Sequence, residues 1–93
     1  MAQKIIVVGD TTSHGGKVIS GAKTHTIDGK AIARKGDQVD CPQKYSDGRP
    51  HGVNNITEGH PGMMIDGQPV ALHGHHTECG CTLIGSVSAT AGD

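Results

Sequence analysis

The chain has 93 residues, of which 15 are glycine and one is tyrosine, with neither phenylalanine nor tryptophan, so its core can only be small and aliphatic. The formal net charge is −1 and the basic residues form no cluster, which argues against nucleic acid or an anionic membrane as a partner. A chain this short with so few large apolar side chains needs a further stabilising element, such as a disulfide, a metal or a partner.

The longest early apolar run covers only residues 5–8 and is followed at once by Gly9-Asp10, which is too short for the core of a signal peptide or a membrane span. We therefore predict synthesis in the cytoplasm without a signal peptide. Thiols stay reduced there, and three cysteines is an odd number. Together with seven histidines, this cysteine content favours a metal site over a disulfide framework.

Short strands separated by glycine turns are predicted along the whole chain. In chain order the predicted strands are residues 4–8, 17–20, 24–27, 30–34, 63–65 and 68–72. Asp28-Gly29 and Asp66-Gly67 are predicted hairpin turns. Glycine or proline interrupts every window long enough for a helix, so the fold class is predicted to be all-β. The small residues of segment 86–93 predict a frayed end.

One pattern occurs three times and predicts a fold built from three equivalent units. The copies are Gly9-Asp10 before His14, Gly36-Asp37 before Cys41, and Gly74-His75 before Cys79. Downstream, the units align on Ile19, Ile56 and Ile84, followed by Gly21, Gly59 and Gly85. Each copy ends on a residue that can bind a metal, so three loops are expected to meet at one place.

The second unit carries an insertion between Cys41 and His51, which gives it two metal-capable residues. His14, Cys41, His51 and Cys79 then supply four donors, the number that closes a tetrahedral structural zinc site. His75 is a fifth candidate, because it replaces the aspartate of the other two copies. The alternative is that His75 caps a turn, as aspartates at such positions do.

The remaining donors are given lesser roles. His25 and His60 are predicted to be exposed, and His73 and His76 flank His75 in a histidine-rich run that can bind metal loosely. None of the four is favoured as a ligand. Cys81 lies two positions after Cys79, and donors this close seldom both fit one tetrahedral ion, so a small buried apolar role is favoured for it.

Catalysis has weak support. A hydrolytic zinc usually has a carboxylate base nearby, and the two glutamates of the chain, Glu58 and Glu78, are available. Neither is tied to an open coordination position by any motif. No catalytic residue is therefore predicted, although a small zinc-dependent hydrolase or toxin remains an alternative.

Segments 28–37 and 66–75 resemble the PAAR motif, which places a Pro-Ala-Ala-Arg core between a turn glycine and a Gly-Asp pair. The first copy has Ala31-Ile32-Ala33-Arg34 and the second has Pro69-Val70-Ala71-Leu72. The flanking pattern also fits, as Thr12-Ser13-His14-Gly15-Gly16, Cys41-Pro42 with His51-Gly52, and Cys79-Gly80-Cys81-Thr82-Leu83-Ile84. The resemblance spans residues 9–86.

The resemblance implies a small cone of strands and loops with pseudo-threefold symmetry and a metal near its apex. Similar proteins form the tip of the type VI secretion spike and sit on a trimeric spike protein of the valine-glycine repeat (VgrG) type. Their zinc is typically bound by three histidines and one cysteine, which favours His14, His51 and His75 with Cys41 or Cys79. The repeat alone suggests two of each, so Cys79 is retained and the choice between Cys41 and His75 stays open.

The sequence therefore predicts a single domain over residues 1–93 without an effector extension. Its expected function is structural rather than enzymatic: it would cap and sharpen the spike for membrane puncture and help attach effectors. One structural zinc is expected, with iron as an alternative. The protein is expected to be exported on the spike into a target cell.

Overall fold

A computed structural model describes residues 3–91, and within this range every regular secondary-structure element is a β-strand. The strands are β1 (Gln3–Lys4), β2 (Thr11–Thr12), β3 (Lys17–Val18), β4 (Ala22–Ile27), β5 (Lys30–Ile32), β6 (Gln38–Lys44), β7 (Pro50–Asn55), β8 (His60–Ile65), β9 (Gln68–Val70), β10 (Leu83–Ile84) and β11 (Thr90–Ala91). The prediction of an all-β fold is confirmed. Within residues 3–91, no helix is long and apolar enough to cross a bilayer.

Both predicted hairpins form, as the antiparallel pairs β4–β5 and β8–β9. Asp28 and Gly29 have φ angles of 53° and 78°, and Asp66 and Gly67 have φ angles of 52° and 81°. Two consecutive positive φ angles are what the favoured two-residue hairpin turns require, which explains the Asp-Gly pairs. A bulge in the first strand of each hairpin shifts its register.

A third pair has the same register but no connecting turn. Gln3 of β1 lies opposite Ala91 of β11, just as Lys30 lies opposite Ile27 in the first hairpin. Val87 and Ala91 are buried in the apolar core. The prediction of a frayed tail is therefore wrong for residues 86–91. The side chains of Val87 and Ala91 fill the core, and the backbone of β11 covers the edge of β1. Residues 92–93 of that predicted tail lie outside the described residues.

The three units meet in a closed ring of backbone hydrogen bonds. The amide of Ile6 donates to the carbonyl of Ala71 (3.0 Å), Ala71 donates to Ala33 (3.0 Å), and Ala33 donates to Ile6 (2.8 Å). All three residues have no exposed surface. A cyclic arrangement of equivalent contacts defines a pseudo-threefold axis, which confirms the three-unit prediction.

The units align slightly differently from the sequence-based register. The amides of Val18, Ile56 and Leu83 donate to the carbonyls of Asp10, Asp37 and His75, respectively, at 2.8–2.9 Å. Ile56 is thus equivalent to Val18 and Leu83, while Ile19 and Ile84 are exposed. The alignment of Ile56 with Ile19 and Ile84 is therefore wrong by one position. The insertion in the second unit is one residue longer than that alignment assumed.

Glycine is required at two equivalent sets of positions. Gly9, Gly36 and Gly74 have φ angles of 92–96°, where a side chain is strained. Gly21, Gly59 and Gly85 lie so close to the neighbouring unit that a Cβ atom would collide with it. These contacts explain why glycines recur at fixed points of the pattern.

Two apolar clusters lie along the molecule, which measures 40 × 25 × 23 Å. The base core is built from the two hairpins and the β1–β11 pair and contains Ile5, Val7, Ala22, Ile32, Ile65, Val70, Leu72, Val87 and Ala91. The inner core surrounds the backbone ring and contains Ile6, Val18, Ala33, Val39, Ile56, Ala71 and Leu83. Three loops leave the inner core on the side of β2, β6 and the segment before β10, and they carry the candidate ligands.

Candidate metal centre

Five donor side chains converge at the ends of these three loops. His14, Cys41, His51, Cys79 and Cys81 each offer one ligand atom, and these atoms all lie within 4.8 Å of one another. Cys41 and Cys81 are buried, and the other three are half-buried. The sequence-based expectation that three loops meet at one place therefore agrees with this geometry.

The shortest separations involve the buried sulfurs. Cys81 Sγ lies 2.9 Å from His14 Nδ1, 3.0 Å from Cys41 Sγ and 3.3 Å from Cys79 Sγ. Cys41 Sγ lies 3.6 Å from His14 Nδ1 and 3.4 Å from His51 Nδ1. Ligand atoms on a tetrahedral zinc ion are separated by about 3.3–3.8 Å, given usual Zn–N and Zn–S bond lengths. The donors are thus spaced closely enough to share one ion.

Two of the loops are tight turns with matching hydrogen bonds. The Thr12 amide donates to the carbonyl of Gly16 (3.2 Å), and the Thr77 amide donates to the carbonyl of Cys81 (3.0 Å). His14 and Cys79 occupy the same position in these turns. A turn this short holds its side chain on one side, so both donors face the pseudo-threefold axis.

The second unit replaces the tight turn with the β6–β7 hairpin. Cys41 lies on β6 opposite Gly52 of β7, next to His51. The Tyr45 ring packs against the His51 ring with centroids 4.3 Å apart, and the Arg49 guanidinium lies 5.6 Å from the Tyr45 centroid. The predicted insertion therefore brings two donors and an aromatic contact that orients one of them.

His75 lies outside the donor group. Its Nδ1 accepts a hydrogen bond from the amide of Leu72 (3.1 Å), as Asp10 Oδ2 does from Val7 (2.9 Å) and Asp37 Oδ2 from Arg34 (2.7 Å). Of the two roles that the sequence left open, the turn contact is the one this geometry supports. Burial lowers the pKa of His75, partly opposed by the nearby charge of Glu58.

The thiols of the third unit titrate differently. Burial raises the pKa of Cys79, but hydrogen bonds from Thr77, Cys81 and Cys41 lower it more, to about 7. Burial raises the pKa of Cys81, and the neighbouring sulfurs of Cys41 and Cys79 raise it further, to about 12. Thiols crowded this closely cannot all ionise without a cation, so the cluster favours a bound metal.

The four histidines not favoured as ligands have partners elsewhere, and of the two predicted to be exposed, His25 is exposed whereas His60 is half-buried. His25 Nδ1 lies 2.9 Å from the hydroxyl of Thr24, His60 accepts from the amide of Gly62, His73 accepts from the amide of Gly85, and His76 lies 2.7 Å from Glu58. The hydrogen bond from His76 lowers the pKa of Glu58. Glu78 accepts from the amide of Asn55 (2.9 Å). Both glutamates considered as catalytic bases are thus engaged with other groups.

Cys81 is the member of the donor group that sequence reasoning set aside. It was set aside because two donors only two positions apart seldom both fit one tetrahedral ion. The structure places a tight turn between Cys79 and Cys81, with Gly80 at a φ of 89°, and brings both sulfurs into the donor group. A Cys-Gly-Cys spacing next to a turn glycine is the sequence signal that points to this geometry.

These observations define a class: a small, pseudo-threefold all-β protein whose loops gather two imidazoles and three thiols, a donor set suited to a metal ion. A family model described as the PAAR motif matches residues 8–85, so the chain belongs to the PAAR motif family. No curated protein matches the chain.

Proposed function

We propose that this protein is the metal-stapled tip of a type VI secretion spike, seated on a trimeric spike protein of the valine-glycine repeat type. The observation that carries this proposal is the PAAR motif match over residues 8–85, joined to a fold whose three units surround one axis. Within this role the chain is a structural part rather than an enzyme, and it is exported with the spike.

Symmetry supports the choice of partner. The ring of Ile6, Ala33 and Ala71 relates three equivalent faces on a single chain. A monomer of this kind can place each unit against one subunit of a trimer, so one tip suits one trimer. A partner without threefold symmetry would leave at least one unit without its contact.

The base of the molecule supplies the docking surface in this proposal. The hairpins β4–β5 and β8–β9 and the pair β1–β11 surround the base core. Their inner strands are bridged to the neighbouring unit, whereas the outer strands β4, β8 and β11 pair with one strand only and leave an open edge among the described residues. Met64 on β8 is 56% exposed. Open edges and exposed apolar side chains are suited to adding strands from a trimer of similar radius.

The donor group supplies stability at the opposite end. His14, Cys41, His51, Cys79 and Cys81 fit zinc in donor type and spacing, and a bound ion would connect all three loops. The expected cofactor is one structural zinc. Effector proteins that travel with the tip would attach to it or to the spike.

Binding to the trimer tests the proposal. Purified tip is mixed with the trimeric spike protein of the same bacterium, and native mass spectrometry counts chains per complex. We expect one tip per trimer. Met64→Asp should weaken binding at least tenfold, because it places a charge on the base. Val53→Asp is the matched control, since Val53 is similarly exposed (54%) but lies on β7, beside the metal loops.

Failure of the wild-type chain to bind any such trimer would overturn the docking role. Equal loss of binding in both variants would place the interface elsewhere than at the base.

A further inference from the structure

We propose that Cys81 is a ligand of the metal and that His51 and Cys79 compete for the one coordination position that remains. This inference rests on the proposed metal-binding role and names the ligands within it. It assigns the third unit two donor positions, where the repeat pattern provides one per unit.

A triangle of donor atoms is already assembled around Cys81. His14 Nδ1, Cys41 Sγ and Cys81 Sγ are separated from one another by 2.9, 3.0 and 3.6 Å. These three atoms come from three different loops. An ion bound to this triangle therefore connects all three units and needs one more donor to complete a tetrahedron.

The other two donors approach this triangle at different corners. His51 Nδ1 lies 3.4 Å from Cys41 Sγ, whereas Cys79 Sγ lies 3.3 Å from Cys81 Sγ. Each also has a second partner outside the triangle. The Tyr45 ring packs on His51 with centroids 4.3 Å apart, and the Thr77 hydroxyl lies 3.3 Å from Cys79 Sγ. Either residue thus keeps a favourable contact while the other one is bound.

The repeat explains why the extra donor arises in the third unit. Gly16, Asn54 and Cys81 are equivalent, because each lies two residues before an aligned core residue. A Cβ atom at Gly16 would collide with the carbonyl oxygen of Asp40, so the first unit has no room for a side chain. Asn54 donates its side-chain amide to the carbonyl of His51 (2.9 Å). In the third unit this position carries a fully buried thiol in contact with the cluster.

The competition changes the charge of the site. With His51 bound, two thiolates balance the charge of a divalent ion, and with Cys79 bound a third thiolate leaves one negative charge. Both competing residues are half-buried, so neither form requires an unpaired charge in the deep interior. Because both side chains lie beside the triangle, either one is positioned to complete the site when the other is removed.

Cobalt substitution tests the proposal, because the sulfur-to-Co²⁺ charge-transfer band grows with the number of thiolates and the visible bands report four-coordination. Apo protein is loaded with Co²⁺ alone in the Cys79→Ala, His51→Ala and Cys79→Ala/Cys81→Ala variants. His25→Ala is the matched imidazole control, since His25 is exposed on β4. Circular dichroism of each variant checks that it is folded.

We expect Cys79→Ala and His51→Ala each to bind one equivalent of Co²⁺ in four-coordinate form. Charge-transfer intensity per cobalt should be about 1.5-fold higher in His51→Ala than in Cys79→Ala, because three thiolates are then bound instead of two. Cys79→Ala should show about twice the intensity of the Cys79→Ala/Cys81→Ala variant.

Equal intensity in Cys79→Ala and Cys79→Ala/Cys81→Ala would overturn the assignment of Cys81. Loss of four-coordinate binding in either single variant would overturn the competition. If the wild-type chain binds no Co²⁺ or Zn²⁺, the proposed metal role fails before these comparisons begin, so the two failures are distinguishable.

Discussion

The two ends of this molecule are built from the same repeated unit but are held together by different interactions. At the base, nine apolar residues are buried between hairpins and a closing strand pair. At the metal end, the turns gather imidazoles and thiols, three of them half-buried. Burial of apolar area is non-directional, whereas metal ligation requires particular atoms at particular distances.

The difference follows from the length of chain available at each end. The base hairpins are long enough to fold apolar side chains over one another, and the β1–β11 pair adds Val87 and Ala91. The turns around His14 and Cys79 contain too few residues to enclose a core. A metal ion compensates because one ion can join several short loops at a single point.

Removal of the metal should have the largest effect on stability of the changes that test this comparison. Structural zinc is known to contribute an apparent 10–16 kcal/mol in small peptides, which is similar to the total stability of about 5–15 kcal/mol for a domain. We expect a strong chelator to remove the cooperative thermal transition, as followed by circular dichroism, and added zinc to restore it. An unchanged transition in chelator would mean that the base core and inner core suffice.

A cavity in the base core tests the other end. Ile5 is 6% exposed, so Ile5→Ala should lower the free energy of unfolding by about 2–5 kcal/mol while leaving zinc stoichiometry unchanged. Urea denaturation measures the first quantity and native mass spectrometry the second. Ile84→Ala serves as the control, because Ile84 is 39% exposed and little burial is lost. Metal loss in Ile5→Ala would show that the two ends are energetically coupled.

A smaller effect concerns the pH dependence of the turn at His75. Burial lowers its folded pKa, so the unfolded chain binds the proton more readily. Stability from this group is complete above the unfolded pKa of about 6.5 and is lost as the pH falls below it. Protonation would also remove the Nδ1 acceptor used by the Leu72 amide. Glu58, His76 and His60 are the charged or titratable neighbours that act on it.

His75→Asp should therefore flatten the fall in melting temperature between about pH 7 and pH 5. An aspartate can make the same turn contact, as Asp10 and Asp37 do, and aspartate side chains ordinarily ionise at about pH 3.9, below this range. Differential scanning fluorimetry at several pH values measures the slope. His25→Asn is the control, because the His25 ring is exposed, contacts the neighbouring Thr24 hydroxyl and is not among the groups that act on His75. An unaltered slope in His75→Asp would assign the pH dependence to other groups.

Local signals in the sequence predicted much of this fold. The Asp-Gly turns require positive φ at both residues, so the two hairpins were predictable from dipeptides. The three-unit pattern likewise placed His14, Cys41, His51 and Cys79 on three loops that could meet. Their assignment as metal ligands stays a prediction, as does the choice of zinc.

Features that depend on contacts between distant segments were not predictable. The pairing of Thr90 with Lys4 joins opposite ends of the sequence, and its small residues carry no strand signal of their own. Cys81 was set aside because it lies two positions from Cys79, and the turn at Gly80 that brings both sulfurs into the donor group carries no strong sequence signal. Ile56 was aligned one position away from its true equivalents, Val18 and Leu83. The insertion before it is one residue longer than the sequence pattern suggested, and only the backbone hydrogen bonds reveal this.

The β1–β11 pair has a topological consequence. Gln3 and Ala91 pair just as Lys30 and Ile27 do, so this pair is a third hairpin whose turn is missing. Residues 3–91 therefore form a cyclic arrangement of three equivalent strand pairs, two of which are joined by Asp-Gly turns. A circular permutant that joins β11 to β1 through an Asp-Gly turn and opens between Asp66 and Gly67 should retain the native fold.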